Sequence, residues 1–170
     1  MGVFKKKHET QIEVSVNPTN WNTWEPGNKA AGDVATSGQW LSEGFAEHEV
    51  AIPPASKEEL DAVAKIVSEE MAKGSAEAVA IKRVKTEVGL ATDTARTIVH
   101  FGMSLSAAQS SLARYLDSGV ENVKWLGGCC EVCDANDNIH VPINSPFPSG
   151  HLLPPACDYC ICALSPFVVY

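Results

Sequence analysis

No stretch of this chain of 170 residues approaches the roughly 18 consecutive apolar residues of a membrane span. The basic start, Met1-Gly2-Val3-Phe4-Lys5-Lys6-Lys7, has no apolar stretch behind it and so does not read as a signal peptide. Lys6 stands where myristoylation calls for Ser or Thr. The expectation is a soluble protein made in the cytosol. Positive charge is scarce. Thirteen Lys and Arg stand against 21 Asp and Glu, a net charge of -8 and a pI near 5.0. That balance weighs against general nucleic-acid binding, which needs a broad basic surface. The clusters Lys5 to Lys7 and Lys82-Arg83-Val84-Lys85 read as solvated.

Catalytic signatures are missing as well. There is no Gly-rich phosphate loop, nucleophile elbow or paired-carboxylate pattern. Pro155-Ala156-Cys157-x2-Cys160 loosely matches the second half of a zinc deaminase signature. None of His8, His48, His100, His140 and His151 begins the His-x-Glu that its first half requires. The chain is therefore not expected to be an enzyme. Cysteine is absent from the first 128 residues. A disulfide scaffold for a whole domain would spread its cysteines, whereas clustered thiols in a chain without a leader more often bind metal.

With 45% apolar and 20% charged residues, the chain has the furnishing of one ordinary globular domain rather than of a disordered segment. Its composition separates three regions, and the expected fold class is α+β. Residues 1–55 read as an extended, Trp-containing arm, with turn signals at Asn17-Pro18, Glu25-Pro26-Gly27 and Pro53-Pro54. Alternation in Thr10 to Val16 predicts a short strand with Ile12, Val14 and Val16 on one face. Trp21, Trp24 and Trp40 lie among turns. They are candidate anchors on a partner, the alternative being that they pack on the chain's own helices.

Residues 56–118 read as a small helical bundle. Ser56-Lys57-Glu58-Glu59 is a capping box, Leu60, Val63, Ala64, Val67 and Met71 recur at helical spacing, and Lys73-Gly74 ends the helix. Ser75 is a candidate cap for a second helix ending near Phe101-Gly102. Ser104 or Ser106 is a candidate start for a third, carrying Leu105, Ala108, Leu112, Tyr115 and Leu116 on one side.

Residues 119–170 are rich in proline and lose the helical period, so this loop-rich module needs a staple. Cys130-x2-Cys133 and Cys157-x2-Cys160 are separated by 23 residues. Two such knuckles can place four thiolates around a structural Zn²⁺ ion. Cys129, Cys162 and His151 are substitute ligands, and the spacing leaves the final four open. Disulfides in an oxidising environment, or an iron–sulfur centre, would use the same thiols. Four thiolates make a closed shell, with no position left for a catalytic water. Asp134, Asp137 and Asp158 read as turn formers rather than as an acid cluster.

A further pattern is carried by Lys85-Thr86-Glu87-Val88, Ala107 to Tyr115 and Gly119-Val120-Glu121-Asn122-Val123-Lys124-Trp125-Leu126. It continues through Cys130-Glu131-Val132-Cys133-Asp134, Pro154-Pro155 and Cys160-Ile161-Cys162-Ala163-Leu164-Ser165-Pro166. In that order these segments resemble the C-terminal domain of the phage Mu protein F-like head morphogenesis family. The resemblance spans residues 80 to 167, about half the chain. Cys157 stands where the family closes with His, Ile161 where it has Arg, and Asp137-Asn138 where it has Asp-Gly. Since His and Cys are both zinc ligands, the first change preserves a four-ligand site. The chain is shorter than typical members at its N-terminal side.

The resemblance implies a minor structural protein of a tailed-phage virion, made in the host cytoplasm and located in the head. It would be present in multiple copies and contact capsid or portal proteins, with no specific nucleic acid and no membrane as partner. A small intracellular zinc-knuckle regulator that binds nucleic acid through Lys82, Arg83 and Lys85 is the alternative from a different class.

Overall fold

The computed structural model describes residues 38–168. The strand expected around Ile12, Val14 and Val16 lies outside the described residues, as do Trp21 and Trp24. Among the described residues the architecture is α+β, helices followed by a three-stranded antiparallel sheet.

Within the region expected to be an extended arm, residues 38–47 form a helix. α1, Gly38–Glu47, buries Leu41, Gly44 and Phe45, a spacing of three and four residues that puts all of them on one face. Its start is clamped: the Gly38 backbone N–H donates to Asp61 Oδ1 at 2.6 Å. Trp40 follows the same inward logic. It is half-buried against the core, and its indole N–H donates to Gln109 Oε1 at 3.1 Å.

α2 runs from Lys57 to Lys73 between the expected caps. The Ser56 hydroxyl accepts from the Glu59 backbone while the Glu59 carboxylate accepts from the Ser56 N–H, and Gly74 closes the helix in the left-handed region at φ 68°. Leu60, Val63, Ala64 and Val67 are buried, as the sequence predicts.

The next segment departs from expectation. Ala76, not Ser75, is the N-cap of α3, Glu77–Arg83, and contributes no side-chain bond. The backbone then widens into a π-helical turn, Val84–Val88, and stops at Gly89. α4 continues without interruption from Thr92 to Asp117, so no break occurs at Gly102 and no separate helix begins at Ser104 or Ser106. A glycine inside a helix costs about 1 kcal/mol relative to alanine. Here packing supplies the compensation, because α1 and α4 meet through reciprocal notches. A β-carbon on Gly44 would sit 2.5 Å from Leu105 Cδ2, and one on Gly102 would sit 3.0 Å from Leu41 Cδ2. Phe45 and Phe101 stack between them with centroids 4.0 Å apart.

β1 is Asn122–Leu126, and its alternating pattern buries Val123 and Trp125 completely. It pairs antiparallel with β2, His140–Pro142, on one side and β3, Ala163–Phe167, on the other. Pro166 is tolerated because β3 is an edge strand. Between β1 and β2 lies α5, Glu131–Asn136.

The C-terminal region has more core than its sequence suggests. Trp125 meets Phe147 edge-on at 5.1 Å, and Leu153 and Leu164 are buried with them. This core is continuous with that of the helices. Tyr115 on α4 donates its hydroxyl to the Leu164 carbonyl at 3.1 Å, fastening β3 to the long helix.

Candidate metal centre

The cysteines reach one place from two directions. Cys129 and Cys130 follow β1, and Cys133 lies on α5. Cys157, Cys160 and Cys162 lie on the loop that leads into β3. Because β1 and β3 are neighbours in register, the two loops at that end of the sheet are brought together. Asp137 Oδ1 accepts the Gly127 N–H at 2.9 Å, and Asn138 adopts the left-handed conformation expected of its turn, at φ 60°.

All six thiols are free, and they form two overlapping groups of four in which the sulfurs lie within 4.8 Å of one another. One group is Cys129, Cys133, Cys160 and Cys162. The other is Cys129, Cys130, Cys133 and Cys157. Each has the composition of a site that could hold a metal ion.

The quartet predicted from spacing, Cys130, Cys133, Cys157 and Cys160, is neither of these. Its members are divided between them, while Cys129 belongs to both groups and Cys162 to one. The knuckle spacing correctly identifies Cys130 with Cys133. It misses the place of Cys129, four residues before Cys133 and outside α5, and the grouping of Cys160 with Cys162 at a gap of two.

His151 is not a member of either group. Its Nδ1 meets Ser149 Oγ at 3.0 Å and its ring lies 5.6 Å from that of His48. The stretch Asn136 to Ser149 explains this: Asn136 binds both the Ser149 side chain and its backbone N–H, turning His151 toward α1.

The local chemistry is that of a crowded thiol set. Burial raises the Cys133 and Cys157 thiols well above the ordinary cysteine value, and neighbouring thiols add to the effect. Burial also pushes Cys162 up to about 12. Cys129 is different. Burial opposes its ionisation, but the Ile161 backbone N–H and the thiols of Cys157, Cys133 and Cys160 outweigh it and bring Cys129 to about 7. Sulfurs packed this closely repel when ionised, so deprotonating the whole set calls for a cation among them.

Residues outside the cysteine motifs support the set. Trp125 Nε1 is buried without a hydrogen-bond partner, and the nearby Cys162 sulfur is the group whose ionised form it favours. His100 on α4 reaches the Cys160 carbonyl with Nε2 at 3.0 Å and Glu77 with Nδ1 at 2.9 Å. Sequence reasoning gives His100 no role, because its partners lie 23 and 60 residues away.

The basic cluster is divided by the fold. Arg83 contacts Glu69 at 2.9 Å, Glu70 at 2.6 Å and Glu87 at 2.7 Å. Lys82 and Lys85 instead line an open groove of about 420 Å³ together with Arg96. Among the described residues no helix is long and apolar enough to cross a membrane.

No protein-family model, curated protein or solved structure matches the chain.

Proposed function

We propose that the chain is a minor structural protein of a tailed-phage head, acting through contacts with capsid or portal proteins rather than by catalysis. Zinc is the metal we assign to its cysteine cluster. The observation that carries this reading is the gathering of all six cysteines at one end of a small sheet. The segments that resemble the Mu protein F-like family, the Trp125 strand, the Cys130 knuckle, Pro154-Pro155 and the closing Cys160-x-Cys162, all belong to that unit. Zinc suits an all-thiolate set, and in small modules its binding contributes about 10 kcal/mol or more to folding. The ion would make the C-terminal region a fixed surface for assembly.

Quantitative mass spectrometry of purified particles from the phage or prophage encoding the chain tests the role. A few to a few dozen copies per particle, fractionating with heads, is the expected result. Absence from heads, or normal incorporation of a Cys133→Ser variant, would overturn the proposal.

The presence of Lys82, Lys85 and Arg96 along one groove, beside Ala78 and Ile81, is the observation that favours the second reading, a nucleic-acid-binding zinc protein. The ion pairs that occupy Arg83 reduce the charge available for it. A gel shift at two salt concentrations distinguishes the readings, because phosphate contacts weaken steeply as salt rises.

A further inference from the structure

Both groups of four thiols contain Cys129 and Cys133. Six cysteines therefore do not divide here into one site and two bystanders. Each group is complete, and neither is complete without the shared pair. From this we infer that the cluster is a binuclear zinc site in which the Cys129 and Cys133 sulfurs bridge two ions. Cys160 and Cys162 are terminal ligands of one ion, and Cys130 and Cys157 are terminal ligands of the other.

The stoichiometry is consistent with the coordination chemistry. Two four-coordinate zinc ions require eight sulfur bonds, and six thiolates supply eight when two of them bridge. The net charge of such a cluster is about -2, the same as that of a single zinc held by four thiolates.

The distances point the same way. A tetrahedron with zinc–sulfur bonds of about 2.3 Å has sulfur–sulfur edges of about 3.8 Å. The shared pair, Cys129 and Cys133, is 3.4 Å apart. Cys129 lies 3.4 Å from Cys157 and 3.9 Å from Cys162. Cys133 lies 3.5 Å from Cys130 and 3.6 Å from Cys160. The last four run from a shared sulfur to a terminal one, so each shared sulfur has a terminal sulfur of either group within 3.9 Å. All four sulfurs of each group lie within 4.8 Å of one another, as two tetrahedra joined along an edge require.

The backbone accounts for the division of ligands. Cys130 is extended, with φ -159° and ψ 169°, and is the residue from which α5 starts. Cys129 and Cys130 share one group of four, and of the two only Cys129 also belongs to the other. Cys133 returns toward both from within α5 and is fully buried, as suits a sulfur with metal on two sides. Cys160 and Cys162, two residues apart, enter one group together.

The inference rests on the zinc reading of the cluster and goes beyond it in number and connectivity, and one titration separates the two. The full chain, kept reduced and free of oxygen, is loaded with Zn²⁺, freed of excess ion and weighed by native mass spectrometry. Two zinc ions per chain are expected. One ion would leave a zinc staple but overturn the bridged pair, and none would overturn both. Cys162→Ala and Cys130→Ala are each expected to retain one ion, whereas Cys129→Ala, which removes a ligand of both, should retain less than either. Retention of two ions by Cys129→Ala would also overturn the proposal. Cadmium-113 NMR of the wild-type chain gives a readout independent of variant folding. Two resonances split by mutual coupling through shared sulfur are expected, and a single resonance or two uncoupled ones would contradict the bridge.

Discussion

The imidazole of His100 spans the gap between the helical part of the molecule and its cysteine loop, with Nε2 3.0 Å from the Cys160 carbonyl oxygen. The carbonyl accepts, so Nε2 carries the proton in this contact. The other nitrogen lies 2.9 Å from the Glu77 carboxylate on α3. A side chain on α4 thus holds the backbone of a metal-ligand candidate and a side chain of α3 at once. Replacing His100 with Ala should destabilise the fold by about 1–3 kcal/mol, the usual cost of leaving a buried group such as the Cys160 carbonyl unmatched. Chemical denaturation followed by circular dichroism checks this. An unchanged midpoint would mean the bridge contributes nothing.

Removal of metal should act on one part of the molecule first. Under reducing conditions, a strong chelator is expected to abolish amide-exchange protection across β1, α5 and β3. Protection in α2 and the middle of α4 should persist, because their apolar faces pack on one another without the thiols. Uniform loss of protection would show that the helices depend on the ion as strongly as the sheet does.

The glycine notches make a steric prediction. Gly44→Ala drives a methyl group into Leu105, itself almost wholly buried, and should cost about 1–3 kcal/mol. Combining it with Leu105→Ala should recover part of that loss, a coupling that a double-mutant cycle in denaturant measures. Strict additivity would place the strain elsewhere.

His48 gives the fold a pH dependence of definite sign. Burial, reinforced by the charge of His151, lowers it from 6.5 to about 4, while the Pro155 carbonyl works in the opposite direction. Between these values the unfolded chain binds a proton that the folded chain refuses. The stabilising difference is present in full above pH 6.5 and is lost as pH falls toward about 4. The loss amounts to as much as about 1.4 kcal/mol per pH unit. Acid would also protonate the thiolates of a metal-loaded cluster, so the informative quantity is the difference between wild type and His48→Gln. Urea titrations across this range should give the variant a shallower decline, and parallel curves would exclude His48 as the cause.

Much of the helical layer was legible because its signals are local. Ser56, Glu59 and Gly74 mark both ends of α2 through bonds made within a few residues of themselves, and a reader of the chain finds them directly. The resemblance to a family strand around Trp125 likewise falls on β1. What escaped depends on distant partners. Gly44 and Gly102 look like a loop residue and a helix stop until Leu105 and Leu41 are seen to occupy the space they leave. The capping hydroxyls at Ser104 and Ser106 are equally ambiguous inside a long helix. At the metal centre, the two-residue knuckle is a local rule and places Cys130 with Cys133. The roles of Cys129 and Cys162 follow from β1–β3 pairing, which no spacing encodes.

The clamp on Gly38 has a mechanical meaning. The first residue of α1 is pinned to α2 by Asp61, and the helix is wedged into α4 by Leu41 and Phe45. A force applied to α1 is delivered to the flank of α4, whose other contacts include the Cys160 loop and β3. A displacement of α1 is therefore passed toward the thiol cluster through one helix.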